Sequence, residues 1–320
     1  MPRPTYTQEQ IFQIYDRINL PAKWRLDVEE AKRKSGGDQA LEYLTVLKRY
    51  TLANVPFENL ELHYSRTQVI DIHPEILFQK IVAQGTGRGG YCMENNAFFA
   101  TVLRTLGFKI MSTGGRVSAA ASPNGDVGDH SMWFGFAHMV NIVTIKGIRY
   151  MVDIGFGAGG TVRPLPLEDG KIQLNIKPNN SVRLRYDTLE DFENPESKVW
   201  IFEKRVADDK FVPNYCFPDN VEFLPADFQV MNMFPSTSKR VFFTQVVVAV
   251  KHILSEDGEE IIGDVVLLGN KLHRRVHGKK EELGAFESEE ERVEALEKHL
   301  GIRLSDMQRY GILGMSSMIG

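Results

Sequence analysis

The chain is predicted to be an α+β protein, because helical and strand patterns occupy different parts of the sequence. Apolar residues recur at helical spacing through the first third of the 320 residues, whereas β-branched residues dominate the middle. A Glu/Lys-rich amphipathic pattern over residues 288–300 predicts a further helix near the end. At this length, two or three compact units are expected.

The first third is predicted to be a helical bundle. Residues 7–18 and 38–51 each carry apolar side chains on one side, and residues 74–84 form a third helix entered through a proline. A fourth helix covers residues 95–106, where apolar residues follow a helical period until Gly107 ends it.

The middle and the later part are predicted to contain mostly strands. A hairpin within residues 134–155 turns at Lys146-Gly147, which pairs Ile145 with Ile148. The predicted strand segments lie in residues 109–118, 134–155, 184–186, 199–202, 241–250 and 264–268.

The most informative stretch is Arg88-Gly89-Gly90-Tyr91-Cys92-Met93-Glu94, which places a thiol where a glycine turn enters a helix. Cys92 is expected at the first or second helical position, with backbone N–H groups pointing at its sulfur. A helix N-terminus stabilises negative charge, and the thiolate is the nucleophilic form of cysteine. A lone cysteine is also commonly a small packing residue, and this stretch alone leaves both interpretations open.

A histidine and an aspartate in the predicted hairpin favour catalysis. His138 lies among apolar residues near the start of one strand, and Asp153 lies inside the apolar run of the next. A carboxylate in such a run is costly unless it is paired. In the predicted register, a small slip or bulge brings the two side chains into contact. Together with Cys92 they would form a Cys–His–Asp triad.

Other polar residues near the thiol are predicted to be structural. Arg88 and Glu94 flank the nucleophile, and an ion pair that fixes the loop is expected of them rather than direct chemistry. Glu58 and Asn59 are expected to organise the same region. Cys216 is interpreted as a packing residue in a loop.

These residues resemble the arylamine N-acetyltransferases, and the length and insertions resemble the fungal branch of that family. The resemblance covers roughly residues 10–250. It rests on Arg-Gly-Gly-Tyr-Cys-Met-Glu at 88–94, Ala-His-Met-Val at 137–140, Val-Asp-Ile-Gly-Phe-Gly at 152–157, Val-Pro-Phe-Glu-Asn-Leu at 55–60 and Ser236-Thr237-Ser238.

The resemblance implies a fold of three domains on a core like that of the cysteine proteases. Residues 1–107 would be a helical domain with the nucleophile, and residues 108–220 a β-barrel with His138 and Asp153. Residues 221–320 would be an α/β lid. The order of helical and strand patterns supports this layout independently.

The resemblance also implies an activity. Cys92, activated by His138 and Asp153, would take an acyl group from acetyl-CoA or malonyl-CoA. It would then pass that group to an arylamine, an arylhydrazine or an N-hydroxyarylamine, in a ping-pong cycle. Acyl-CoA is a co-substrate in this scheme, and no permanently bound cofactor is expected.

Coenzyme A contacts are expected at two places. Ser236, Thr237 and Ser238 offer hydroxyls and amides, with Lys239 and Arg240 beside them. Their alternative interpretation is a solvated turn before a strand. Phe156 and Gly157 follow the triad aspartate, where a small residue permits close backbone approach to a ligand.

The preferred acyl group is open at the level of sequence. Position 137 is Ala, where many family members have Thr, which removes one possible contact to coenzyme A. A malonyl carboxylate would need a cation or an amide. Arg116, Asn141 and Arg163 are candidates because they lie on adjacent segments.

Composition and charge argue against several other classes of protein. The net charge is −4, from 38 Lys and Arg against 42 Asp and Glu, so no basic footprint indicates nucleic acid. No long apolar run predicts a membrane span, and no apolar region after the first residues predicts a signal peptide. Two cysteines do not make a disulfide framework, and a cytoplasmic protein is expected. The histidines, including His73, His130 and His138, do not cluster, so no metal is expected.

Three alternatives remain at this stage. One is a cysteine hydrolase or transglutaminase-like enzyme with the same triad. Another is a catalytically silent relative that binds acyl-CoA or a partner. The third is a binding protein in which the three residues are unrelated, which a separation of Cys92 Sγ and His138 above about 6 Å would indicate.

Overall fold

The computed structural model describes residues 3–121, 132–206 and 210–320. Along the sequence, the helices in that part of the chain cluster in the first third and near the end, and one further helix lies between these two groups. Two of them, α4 and α7, continue as π-helical turns over Gln79–Ala83 and Leu296–Leu300. The helices are α1 (Gln8–Arg17), α2 (Val28–Ser35), α3 (Ala40–Asn54), α4 (Pro74–Phe78), α5 (Cys92–Thr105), α6 (Pro225–Thr237), α7 (Glu289–Ala295) and α8 (Asp306–Tyr310).

The strands form two antiparallel sheets. One has eight strands in the order β5-β4-β3-β2-β9-β8-β7-β6, and the other has five in the order β1-β10-β11-β12-β13. The strands are β1 (Phe57–Glu58), β2 (Lys109–Ser118), β3 (Trp133–Ile145), β4 (Ile148–Val152), β5 (Leu165–Pro166), β6 (Gln173–Ile176), β7 (Asn180–Asp187), β8 (Val199–Arg205), β9 (Phe211–Phe217), β10 (Val248–Leu254), β11 (Ile261–Leu268), β12 (Lys271–Val276) and β13 (Lys279–Ala285).

The eight-stranded sheet is a curled half-barrel rather than the closed barrel expected from the sequence. Among the described residues its two edges, β5 and β6, do not pair with each other. Both edge strands are short, and β5 contains Pro166, which has no N–H to donate to a further strand. The mixed α and β composition agrees with the predicted class.

The three-domain division remains a prediction. Its first boundary falls between α5 and β2, and its second falls between β9 and α6, so neither cuts an element. However, β1 comes from the N-terminal third and pairs with β10 of the C-terminal sheet, Phe57 opposite Val250. The first and last units therefore share a sheet.

The predicted helices are found, but three further helices, α2, α6 and α8, were missed. Helix α2 is mostly charged, and its buried residues are only Ala31 and Ser35. Helix α6 contains Pro235, which argues against a helix in sequence. The predicted strand over 241–250 is wrong in its first half, because Phe242–Thr244 form a short 3₁₀ turn before β10 begins.

Candidate active site

Cys92 is the first residue of α5, as expected from the glycine turn before it. Its side chain is buried, and its Sγ lies 3.6 Å from the carbonyl oxygen of Ala137 on β3. The two glycines before it are required by close packing. A Cβ on Gly89 would lie 1.9 Å from the carbonyl oxygen of Pro56, and one on Gly90 would lie 2.5 Å from Glu94 Cβ.

Arg88 and Glu94 each belong to an ion pair, but with other partners rather than with one another. Arg88 Nε donates to Glu58 Oε1 at 2.8 Å, and Lys80 Nζ donates to Glu94 Oε1 at 2.6 Å. Glu94 also accepts from the N–H of Tyr91 at 3.1 Å, at the start of α5. These contacts hold the loop that carries Cys92.

The charges of this network shift its carboxyl groups in opposite directions. Burial raises the pKa of Glu58, but Arg88 and Lys80 outweigh it and hold that pKa at about 2. Burial is the larger effect at Glu94 and raises its pKa. The role of Glu58 in organising this region, predicted from sequence, agrees with these contacts.

His138 lies beside a β-bulge. In the pairing of β2 with β3, Gly115 is opposite His138 and Arg116 is opposite Phe136, so Ala137 is skipped. A bulge re-aims the residues around it. At this bulge, the carbonyl oxygen of the skipped residue Ala137 faces the thiol of Cys92.

Asp153 contacts His138 because the chain turns away from the β3–β4 pairing after β4 ends. The register of the hairpin itself is not shifted. The β3–β4 register runs regularly from Ile145 opposite Ile148, as predicted, to Asn141 opposite Val152. Asp153 is the next residue, one position beyond β4. A turn there places its Oδ2 2.8 Å from Nε2 of His138.

The histidine and the aspartate form a buried charge pair that also reaches Cys92. Burial lowers the pKa of His138, but the charge and hydrogen bond of Asp153 and contact with Cys92 raise it to about 10. Burial raises the pKa of Asp153, but His138, the amide of Asn96 and the N–H of Gly155 bring it down to about 2. The three predicted residues are thus brought together, whereas their catalytic roles remain predictions.

Asn96 is a site residue that sequence reasoning missed. It lies one turn after Cys92 on α5, and its Nδ2 donates to Asp153 Oδ1 at 2.8 Å and to the carbonyl of Met139 at 2.7 Å. Its Oδ1 accepts from the N–H of Ile154 at 3.0 Å. The available signal was the spacing of four residues from Cys92, which places both side chains on one helix face.

Tyr215 is a second missed residue. Its ring lies 4.7 Å from the His138 ring and 4.8 Å from that of Phe156. Burial first, and then the charge and a hydrogen bond of Asp153, raise the pKa of Tyr215 well above its usual value. Its neighbour Cys216, expected in a loop, lies instead in strand β9, where it is buried as a packing residue.

Ser236 and Thr237 form the end of helix α6, and Ser238 follows as its cap. The Ser236 hydroxyl donates to the carbonyl of Asn232 at 2.6 Å, and that of Thr237 donates to the carbonyl of Met233 at 2.6 Å. The alternative of a turn directly before a strand is therefore wrong, because this segment ends a helix.

Helix α6 contacts the residue next to the nucleophile. The hydroxyl of Tyr91 donates to Asn232 Oδ1, and the Tyr91 ring packs edge-on against Phe243, with ring centres 5.8 Å apart. Phe243 in turn packs against Phe57. The two regions expected to contact coenzyme A are joined by this aromatic row.

Phe156 and Gly157 lie at the other end of that row. The Phe156 ring packs edge-on to His138, with ring centres 5.2 Å apart. Gly157 has a φ of +57°, and a Cβ there would lie 3.3 Å from the Phe57 ring. The left-handed backbone favours glycine, and a Cβ would also need a small shift of the Phe57 ring.

Apolar side chains surround the thiol. The cluster that contains Cys92 draws on β3, α5 and α6 and on the segment before α6. Members that carry rings or sulfur include Met139, Phe228, Met231, Phe136, Phe223 and Phe243. An aromatic ligand beside the thiol would meet an apolar wall.

The described residues contain neither a metal-binding cluster nor a membrane-spanning helix. Over residues 3–121, 132–206 and 210–320, no three His, Cys, Asp or Glu side chains are grouped so as to hold a metal ion. None of the helices in those ranges is both long enough and apolar enough to cross a membrane. His130, weighed above, lies outside the described residues.

Comparison with known proteins defines the chain as an acyltransferase. It is 34% identical to the N-malonyltransferase FDB2 of Fusarium pseudograminearum, over 97% of this chain and 93% of that protein. It is 29% identical to arylamine N-acetyltransferase 1 of Homo sapiens, over 66% of this chain and 71% of that protein.

A family model and a solved structure agree with these relatives. The N-acetyltransferase family model matches residues 40–309. The structure of Mycobacterium marinum arylamine N-acetyltransferase in complex with CoA superposes with a TM-score of 0.72 at 25% identity, covering 94% of this chain and 96% of that one. The chain belongs to the N-acetyltransferase family, that of the arylamine N-acetyltransferases.

Proposed function

We propose that this protein moves an acyl group from acyl-coenzyme A to an aromatic amine through an acyl-Cys92 intermediate. The observation that supports the proposal most is the convergence of three buried groups. Cys92 begins α5, and His138 Nε2 lies 2.8 Å from Asp153 Oδ2 and in contact with Cys92. The relative named an N-malonyltransferase and the relative crystallised with CoA favour an acyl-CoA donor.

In the first half-reaction the Cys92 thiolate attacks the thioester carbonyl carbon. Because Nε2 of His138 is bonded to Asp153, Nδ1 is the ring nitrogen that exchanges a proton with Cys92. The raised pKa of His138 favours the imidazolium form beside a thiolate. The new C–S bond forms, the bond to coenzyme A breaks, and the leaving thiolate takes the proton from His138.

In the second half-reaction the amine nitrogen attacks the acyl-Cys92 carbonyl. Neutral His138 accepts a proton from that nitrogen, the bond to Sγ breaks, and the amide leaves. Asp153 stays ionised throughout and stabilises the imidazolium, as its low pKa requires. The cycle returns Cys92 and His138 to their starting protonation states.

Charge on the tetrahedral oxygen must be stabilised by hydrogen-bond donors. The N–H of Cys92 is our candidate, because the first N–H groups of a helix have no partner within the helix. The orientation of α5 favours an anion at this end as well. The buried ion pairs of Arg88 and Lys80 hold the loop in the position that this requires.

Coenzyme A is proposed to run between Gly157 and the end of α6. Lys239 and Arg240 are exposed and follow Ser238, so they are available to its phosphates. Phe156 and Gly157 border the other end, beside His138. The apolar residues around Cys92 would receive the ring of the acceptor.

The test is release of free coenzyme A by the purified protein. Acetyl-CoA and malonyl-CoA are compared, each with and without an arylamine, beside Cys92→Ala. Multiple-turnover release that needs the amine and vanishes in the variant is the expected result. Continued release without amine would favour the hydrolase alternative. No release from either donor by folded wild-type protein would favour the silent relative.

A further inference from the structure

Three residues were candidates for a carboxylate on the acyl group, and their surroundings differ. The side-chain amide of Asn141 is already used, accepting from Ser112 Oγ at 2.7 Å and donating to the carbonyl of Asn96 at 3.0 Å. Arg163 is exposed and lines a cavity of about 530 Å³ that none of the triad residues lines. Arg116 is the candidate that remains.

Arg116 is half-buried and has no partner for its charge in the described part of the chain. Over residues 3–121, 132–206 and 210–320, its guanidinium group makes no hydrogen bond and no ion pair. It packs on an aromatic face, because its Cζ lies 4.0 Å from the centre of the Phe136 ring. A partly desolvated guanidinium group with no carboxylate partner among the described residues is suited to bind one.

The cavity beside Arg116 is apolar and holds one charge. It measures about 300 Å³, and among the described residues that line it Arg116 alone is charged. Its lining includes Phe136 and Phe223, which also pack against the apolar cluster of Cys92. The cavity therefore adjoins the surroundings of the thiol.

A short path of contacts leads from the thiol to the guanidinium group. Cys92 Sγ lies 3.6 Å from the carbonyl oxygen of Ala137, and Phe136 is the residue before Ala137. The bulge at Ala137 brings Arg116 directly opposite Phe136, whose ring it covers. A malonyl group carries its carboxylate one methylene beyond the thioester carbonyl, so its charge would lie near Cys92.

We infer that Arg116 binds the free carboxylate of a dicarboxylic acyl donor such as malonyl-CoA and so sets the choice of acyl group. This inference rests on the proposed acyl-Cys92 function. The acyl carboxylate would lie over Phe136 against the guanidinium group, and the attack at the thioester would be unchanged. An acetyl group makes no such contact, so its transfer would not depend on Arg116.

The test is the rate of acyl-enzyme formation without amine, measured with malonyl-CoA and acetyl-CoA. The variants are Arg116→Met, Arg116→Lys and, as a matched control, Arg163→Met. With Arg116→Met, the second-order rate for malonyl-CoA is expected to fall by about tenfold to a hundredfold, as for a lost charge-assisted hydrogen bond. The acetyl-CoA rate should stay within about threefold. Arg116→Lys should recover part of the malonyl rate.

Equal losses for both donors in Arg116→Met would overturn the inference, since they indicate a structural role. An unchanged malonyl rate, or the same loss of malonyl rate in Arg163→Met, would overturn it too. Failure of the proposed function is distinguishable. In that case, wild-type protein would form no acyl-Cys92 from either donor.

Discussion

The two ends of the candidate site are built differently. Around Cys92, His138 and Asp153 the side chains are almost completely buried, and the Asp153 carboxylate is hydrogen-bonded to His138 of β3, Asn96 of α5 and the N–H of Gly155. At α6, Val230 and Met233 are 69% and 63% exposed, and the hydroxyls of Ser236 and Thr237 donate to carbonyl oxygens of their own helix. The reacting groups are thus preorganised by the core, whereas the surface proposed to hold coenzyme A is left to be completed by the ligand.

The largest effect on rate is expected from removing the charge of Asp153 at the buried end of the site. Asp153→Asn should lower acyl-enzyme formation about a thousandfold to ten-thousandfold, because the partner that raises the pKa of His138 and orients its ring is lost. Stopped-flow measurement of coenzyme A release checks this. The exposed Asp191→Asn is the control, and a similar loss there would indicate a nonspecific charge effect.

The stability of the protein should depend most strongly on the charges that hold the loop before Cys92. Glu58→Gln should lower the free energy of unfolding by about 3 to 5 kcal/mol, because buried Arg88 loses the nearer of its two carboxylate partners and Lys80 loses one of two. Urea titration at pH 7 measures it. Glu61→Gln, at a side chain 25% exposed, should cost less. Equal costs would mean that burial does not set the difference.

The Glu58 carboxylate also predicts that the stability of the protein depends on pH. Its pKa is lowered from 4.5 to about 2, so its stabilising contribution is complete above about pH 4.5 and is lost as the pH falls through 2. Unfolding measured from pH 7 to pH 2 should show a steeper acid decline in wild-type protein than in Glu58→Gln. Parallel curves would contradict the low pKa.

The side-chain amide of Asn96 should affect the rate of acyl-enzyme formation more than that of its neighbour Asn95. Asn96→Ala should slow acyl-enzyme formation by about tenfold to a hundredfold, because Asp153 loses a donor and the turn after β4 loses its acceptor. Asn95→Ala is the matched variant, since its amide donates to Pro56 instead. It should lower stability with less than about a threefold change in rate per folded molecule. The reverse order would remove Asn96 from the site.

Substitutions at the exposed end of the site, after α6, should give the smallest effects. These effects should be confined to the binding of acyl-CoA. Lys239→Ala with Arg240→Ala should raise the KM for acyl-CoA about tenfold, weaken its salt dependence and leave kcat and stability almost unchanged. Lys271→Ala with Lys279→Ala removes the same charge from the five-stranded sheet and is the control. A raised KM in the control alone would shift the proposed coenzyme A path.

Local patterns predicted the position of Cys92 at the start of a helix, because a glycine turn and an apolar helical period both lie within 20 residues of it. The contact of His138 with Asp153 could be predicted only approximately. It depends on where β4 ends and on the bulge at Ala137, which are set by packing between distant segments. Tyr215 was missed because strand β9 reaches the site only through the curl of the sheet.

Helix α6 shows the opposite case. Pro235 near its end indicates a break, yet the helix continues to Thr237 because its buried side, which includes Phe228 and Met231, packs against the cluster of Cys92. Tertiary packing outweighed local propensity there. The missed helix changes how Ser236 and Thr237 are presented, from turn residues to the end of a helix.

The most direct test of the central claim is mass spectrometry of the intact protein mixed with acyl-CoA and no amine. We predict that the mass increases by one acyl group, that peptide mapping assigns the group to Cys92, and that an added arylamine removes it as the amide. Coenzyme A release without any acyl-protein, or an acyl group on another residue, would contradict the account.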